Sequence, residues 1–291
     1  MNSFNTRFKP RIMQFLELLR VKQYYKNLII FLALIFLGKD IKLDAIILTF
    51  IGFIALCLIS SSNYIINDIL DKEKDKLHPI KSKRPIANNY YSTTFAGVIA
   101  IITAIAALSI SIIISEKFFI LILIIFFLTL FYSLKLKEEI FLDLTLISTN
   151  FIIRAISGII IIDARLSPWL ILCTFFLSLL LATGKRINEF NYSKEHKVVL
   201  KLYTKDLLNK LLLISTTLLI LSYSLYSFLS IYPLLIYTIP IPTYIILRYL
   251  YLIETNSNIP GELENFYKDK QLLISLIIWL FITTIIIFLK Q

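Results

Sequence analysis

Nine apolar runs divide this chain, at roughly residues 20–38, 44–69, 93–114, 118–134, 140–162, 167–189, 207–230, 232–253 and 271–289. A run of about 18 or more apolar residues is long enough to cross a bilayer as a helix. Within lipid a helix is one of the few structures that satisfies its own backbone hydrogen bonds. Nine such runs in 291 residues leave little chain for anything else. The pattern predicts an all-α integral membrane bundle of nine transmembrane helices, forming a single domain over residues 1–291, and excludes a soluble fold. The 58% hydrophobic content agrees, since soluble chains hold about 45–50% apolar residues even with Gly counted. The narrowest division is at Tyr232-Pro233, where a tight turn must separate spans seven and eight.

The charges orient the bundle. With the N-terminus in the cytoplasm, 24 of the 30 Lys and Arg residues fall on that side and five (Lys39, Lys42, Lys117, Arg165 and Lys290) on the other. The remaining one, Arg154, sits inside span five. That bias satisfies the positive-inside rule and places the N-terminus in the cytoplasm of a multi-pass protein of the cell (inner or plasma) membrane. The first apolar run lacks a small-residue cleavage site and is expected to be retained as a span. Cys57 and Cys173 lie within apolar runs without metal-ligand spacing and read as small core residues. The basic residues border spans and follow topology, so no nucleic acid partner is implied.

One segment does not fit a purely topological reading. Asn67–Pro85, "NDILDKEKDKLHPIKSKRP", packs four acidic and six basic residues and a histidine between two oily spans. Attraction to anionic lipid explains scattered lysines but not the carboxylates among them. Asn67, Asp68, Asp71 and Asp75 recur at three- and four-residue spacing, so a helix continuing out of span two would carry them on one face. Stacked carboxylates repel one another unless a cation lies among them. Hard oxygen donors suit Mg2+, which takes one or two carboxylates together with waters and substrate phosphates. Asn67, Asp68, Asp71 and Asp75 are therefore candidate metal ligands, and His78, Lys81, Lys83 and Arg84 beyond them are donors suited to phosphate oxygens. A solvated charged loop is the plainer alternative.

Span six ends in "LLLATGKRINEFN", where Lys185 and Arg186 lie four and three residues before Glu189. This is either a helix-end salt bridge or a second anion site facing the first, with Glu189 as a further ligand or base. Lys26 and Asn27 sit at the mouth of span one, and Tyr132, Lys135 and Lys137 follow span four. Snorkelling lysines would account for these positions equally well. Arg154 is different, because an ionisable residue inside a span marks a functional site by default. It reads as a phosphate donor deep in a cavity, or as half of a structural ion pair. His196 reads as a loop residue.

The motif N-D-x-x-D-x-x-x-D after the second of nine spans resembles the UbiA-type intramembrane prenyltransferase superfamily. "YYKNLIIF", "FYSLKLKEEIFLDL", "FIIRAISG", "SPWLILCTFFLSLLLATGKRINE" and "FYKDKQLL" extend the resemblance toward its decaprenyl-phosphate phosphoribosyltransferase branch, over about residues 16–285. The resemblance implies a cavity open to the cytoplasm and to lipid, a Mg2+ cofactor, a polyprenyl phosphate acceptor and a phosphoribosyl pyrophosphate donor. It implies catalytic roles for Asp68, Asp71, Asp75 and Glu189. Donor-phosphate contacts are implied for Lys81, Lys83, Arg84, Lys185 and Arg186, and steering of the lipid phosphate for Arg154, Lys26 or Lys135. Where aromatic prenyltransferases are expected to carry a second D-x-x-x-D, this chain has Lys185, Arg186 and Glu189. A polyprenyl diphosphate-dependent prenyltransferase with an aromatic or other small acceptor remains the alternative, and a non-catalytic transporter or lipid-binding protein a further one. Prenyl chain length, a homo-oligomeric state and the pathway served, whether cell-wall arabinan or another glycolipid, are left open.

Overall fold

The computed structural model of the chain describes residues 10–37, 41–164, 166–193 and 198–289. Arg7, Lys9, Lys39, Arg165, Lys194, His196, Lys197 and Lys290, which entered the charge and loop readings above, lie outside these residues. The described chain is all-helical. After α1 (Arg11–Leu18) comes a 3-10 segment, Val21–Phe31, which passes into α2 (Leu32–Leu37). Then follow α3 (Leu43–Leu70), the short α4 (Lys72–Lys76), α5 (Thr93–Ile114), α6 (Glu116–Leu134), α7 (Leu142–Ile161) and α8 (Pro168–Ser193). The chain ends with α9 (Val198–Leu202), α10 (Lys205–Leu229), α11 (Pro240–Glu254) and α12 (Lys270–Leu289).

Eight segments among the described residues are long and apolar enough to cross a membrane; the eighth-run segment, Pro233–Glu254, combines a 3-10 turn with α11. The first apolar run is not among them: its described part is an eleven-residue 3-10 helix followed by six α-helical residues. Span six also runs further than expected, α8 continuing to Ser193, and Lys185, Arg186 and Glu189 sit on this helix as the expected bounds implied. The starts of α5, α6 and α10 are fixed by hydroxyl caps. Ser92, Ser115 and Thr204 each accept a hydrogen bond from the backbone N–H three residues on, at 3.1 Å, which satisfies an otherwise orphaned donor.

Two large apolar cores hold most of the bundle, with three smaller ones beside them. One joins the 3-10 segment to α3, α6 and α7 through Ile30, Leu56, Ile59, Phe118, Ile122 and Ile153. The other joins α8, α10, α11 and α12 through Leu180, Leu208, Leu212, Ile246, Tyr249 and Leu272. Helix α7 contacts α3, α6, α8 and the 3-10 segment, which places its Arg154 inside the bundle. Large apolar side chains such as Ile101, Ile113, Phe228 and Phe281 point outward, as a lipid-facing surface requires. Membrane helices approach closely where residues are small. A Cβ added at Gly158 of α7 would run into the carbonyl oxygen of Ile30 and meet the Ala33 Cβ at 3.0 Å. Gly158→Ala is therefore expected to cost about 1–3 kcal/mol through overpacking, seen as a lower thermal midpoint of the detergent-solubilised protein. An unchanged midpoint would mean that the 3-10 segment can move aside.

Candidate active site

Helix α3 ends at Leu70, and Asp71 adopts φ −89° and ψ 4° before α4 begins. The stripe from Asn67 to Asp75 is thus bent rather than carried on one straight helix. Six alternating charges follow the apolar run, with no oily face left to pack. The i to i+4 hydrogen bonds still pass through the bend, from Asp71 N to Asn67 O at 2.9 Å and from Asp75 N to Asp71 O at 2.8 Å. Asn67, Asp71 and Asp75 consequently stay together and line one cleft of about 290 Å3, with Lys81, His78 and Lys137 around them.

Each carboxylate here meets a cation. Lys137 Nζ lies 2.8 Å from both oxygens of Asp71. Arg84 joins Asp75 to Asp68, donating to the latter at 3.1 Å, and Lys81 Nζ stands 3.7 Å from Asp75. Asp68, only 3% exposed, is gripped by Arg20 through Nε at 3.1 Å and Nη2 at 2.6 and 2.8 Å. Buried carboxylates without such partners would carry a large desolvation cost. Asp68 faces these two guanidinium groups and is not part of the cleft wall. Arg20 adopts a left-handed φ of 56° at the junction of α1 and the 3-10 segment, which swings its side chain toward α3.

A second, deeper cavity of about 570 Å3 adjoins the first. The two share Tyr132 and Arg186 in their walls. Lys26, Arg154, Lys185 and Arg186 supply its positive charge. Arg154 is 7% exposed, stacks its guanidinium 5.4 Å from the Phe151 ring, and has no hydrogen-bond partner for Nε among the described residues. Asn63, 3% exposed, likewise leaves both its Nδ2 and Oδ1 unpartnered among the described residues, and Ser60 its hydroxyl. Buried polar atoms normally find partners, so this wall offers free donors and acceptors to the cavity.

Two helical periods bring these groups to the cavity. On α3 and its C-cap, Ser60, Asn63, Tyr64, Asn67 and Asp71 recur at three- and four-residue steps and form one face, so the stripe that lines the cleft continues into the deep cavity. On the 3-10 segment, residues three apart eclipse one another, which puts Gln23, Lys26 and Ile29 in a single column along the cavity wall.

Arg186 is fixed between the pockets by a buried network. Its Nε donates to Asp143 at 2.7 Å and its Nη1 to Glu189 at 2.6 Å. Tyr203 OH donates to the other Asp143 oxygen at 2.7 Å and accepts from Phe141 N at 3.0 Å. Burial first, and then the Asp143 carboxylate, push the Tyr203 phenol well above its usual range. Of the residues singled out in the sequence, Lys83 and Lys135 are exposed and line neither pocket, and Glu189 stands behind Arg186. Sequence reasoning missed Arg20, Ser60, Asn63 and Asp143. The spacing of Asn67 and Asp71, extended upstream, reaches Asn63 and Ser60; Arg20 and Asp143 carry no comparable signal.

The model of the UbiA prenyltransferase family matches residues 27–262. The chain belongs to this family. A decaprenyl-phosphate phosphoribosyltransferase of Mycolicibacterium smegmatis is 30% identical over 91% of the chain and 89% of that protein. One from Mycobacterium tuberculosis is 28% identical over 72% of each. A UbiA homolog from Archaeoglobus fulgidus, solved with GPP and Mg2+ bound, superimposes with a TM-score of 0.73 at 18% identity, covering 95% of this chain and 99% of that one. This UbiA-family protein is a membrane transferase with several spans.

Proposed function

We propose that this protein transfers 5-phosphoribose from phosphoribosyl pyrophosphate to a polyprenyl phosphate, releasing pyrophosphate. The observation that carries the reading is the pair of adjoining cationic pockets, one at the polar end of α3 and one within the bundle, which suits two phosphorylated partners meeting at a shared wall. The names of the mycobacterial relatives point to the same reaction. The donor's diphosphate lies in the cleft with Lys81 and Lys137, and the lipid phosphate lies against Arg154 and Lys26, its tail in the oily bundle. Lys185 and Arg186 hold donor phosphates at the boundary. An anionic oxygen of the lipid phosphate attacks C1 of the ribose. The bond from C1 to the pyrophosphate oxygen breaks, and its electron pair leaves with pyrophosphate. No general base is needed, because the nucleophile carries no proton to lose.

A hard divalent cation fits the cleft. Asn67, Asp71 and Asp75 are all oxygen donors on one wall, and among the described residues no group of three His, Cys, Asp or Glu forms a ready-made cage. Mg2+ suits such a partial site, since it retains waters and takes substrate phosphates as ligands. When bound it would neutralise charge growing on the leaving group. Asp68 supports this wall by holding Arg20 and Arg84.

The topology belongs to the same proposal. Eleven 3-10 residues at about 2 Å each and six α residues at about 1.5 Å each reach on the order of 30 Å, enough for Val21–Leu37 to serve as a ninth span. Nine spans with a cytoplasmic N-terminus put the Asn67–Pro85 cluster and the cleft on the cytoplasmic side, where the soluble donor is.

The decisive experiment supplies purified protein with Mg2+, radiolabelled phosphoribosyl pyrophosphate and a polyprenyl phosphate. Label reaching the organic phase only when metal and lipid are both present supports the reading. Product from a polyprenyl diphosphate and an aromatic acid instead would favour prenyl transfer. Arg154→Met is expected to raise KM for the lipid phosphate by about tenfold or more, the worth of a hydrogen bond to a charged group. Equal KM values for the lipid in both proteins would remove Arg154 from that role.

A further inference from the structure

The deep cavity holds a feature that phosphate binding does not require. Its wall is cationic from Lys26, Arg154, Lys185 and Arg186, yet two glutamates, Glu262 and Glu264, line its mouth. They come from the segment between α11 and α12. Glu264 has no hydrogen-bond or ion-pair partner among the described residues, although Tyr25 and Lys185 both lie within range of its charge. Glu262 accepts from Asn265 Nδ2 at 2.6 Å, which orients its carboxylate.

The segment is held in place at several points. Asn188 Nδ2 donates to Ser257 O at 3.0 Å, Asn191 Nδ2 to Asn256 Oδ1 at 2.9 Å and Tyr192 OH to Asn256 O at 3.0 Å. Gly261 passes so near Asn188 that a Cβ there would strike its side-chain oxygen. At the far end Arg248 grips Asp269, with Nη2 to Oδ2 at 2.7 Å. That hydrogen bond holds the Asp269 carboxyl below its usual range. The glutamates are thus tied to the same helix end that carries Lys185 and Arg186.

Carboxylates accept hydrogen bonds and repel anions. At the edge of a phosphate-binding wall they accept hydrogen bonds from a ligand's hydroxyls, which a prenyl chain does not offer. The unpartnered amide of buried Asn63 in the same cavity adds a neutral donor and acceptor for such a ligand. We propose that Glu262 and Glu264 bind the vicinal hydroxyls of the donor's ribose where it reaches from the cleft into the deep cavity, so that the donor taken is a sugar diphosphate and not a prenyl diphosphate. This inference rests on the phosphoribosyl reading above and adds the residues that recognise the sugar.

The test compares ribose 5-phosphate and 2-deoxyribose 5-phosphate as inhibitors of label transfer, in the unmodified protein, Glu264→Ala, Glu264→Gln and Glu262→Ala. The unmodified protein is expected to bind ribose 5-phosphate about tenfold more tightly than the deoxy sugar, the scale of a hydrogen bond to a charged acceptor. In Glu264→Ala or Glu262→Ala the preference should fall to within about twofold, with KM for phosphoribosyl pyrophosphate raised and KM for the lipid phosphate unchanged. Glu264→Gln, which keeps an acceptor oxygen, should retain part of the preference. If Glu264 only pairs with Lys185, both sugars will weaken equally and the preference will survive, which overturns the proposal. So does an unmodified protein that transfers label but does not distinguish the sugars. Failure of the unmodified protein to transfer label at all would instead sink the phosphoribosyl reading, and this inference with it.

Discussion

Asp71→Asn is expected to lose turnover by about a hundred- to a thousandfold, the range seen when one electrostatic stabiliser of a transition state is removed, while the protein stays folded. Asp71 occupies the bend between α3 and α4 and is a wall of the cleft. Its side chain keeps 19% exposure, as does that of its partner Lys137. Changing the carboxylate to an amide keeps the shape and leaves Lys137 within reach of water, so the fold loses little. The cleft, in contrast, loses a hard anionic donor from the wall that would hold the cation and, with it, the leaving group. The measurement pairs label transfer with a thermal melt of the same sample. Normal turnover would refute the role assigned to Asp71. A loss of turnover matched by a collapse of the melting temperature would recast Asp71 as a structural residue.

The reverse pattern is expected at Asp143. This carboxylate is fully buried and compensates Arg186, whose side chain is 6% exposed. Asp143→Ala strands part of that charge, leaving Glu189 as a partner, and removes the acceptor of the Tyr203 hydroxyl. Breaking a buried ion pair by deleting one member typically costs about 3–5 kcal/mol. The melting temperature should therefore drop by several degrees, and activity should fall along with it, because Arg186 stands in the wall common to both pockets. A melting temperature within about a degree of the unmodified protein's would show that the network contributes little to holding the bundle together.

The contrast between these aspartates marks what the sequence could disclose. Helix α5 occupies Thr93–Ile114 as its apolar run predicts, because Ser92 caps one end and Ser115 closes the other. The first run shows what composition leaves open, because it does not separate a 3-10 helix from an α-helix. Asn67, Asp71 and Asp75 were legible since one stretch of chain carries them. Arg20 meets Asp68 across 48 residues, and Arg186 meets Asp143 across 43; packing alone makes those pairs. Lys135 and Lys137 look alike in the sequence, but the 3-10 turn Leu136–Glu138 leaves the first exposed and points the second at Asp71. Glu262 and Glu264 drew no notice because nothing local ties them to a cavity built by distant spans.

The 3-10 segment carries a further consequence for how this protein can evolve. In an α-helical wall, gaining or losing a residue turns everything beyond it by about 100°, and compensating changes a turn away can restore the facing. With three residues per turn the wall of Val21–Phe31 has only three faces, and each residue belongs wholly to one of them. Adding or removing one or two residues ahead of Lys26 hands its place on the Gln23–Lys26–Ile29 column to a neighbour, whereas a change of three leaves the column intact. The segment thus has a reading frame of its own, and selection on its length acts through substrate contact before it acts through bilayer thickness.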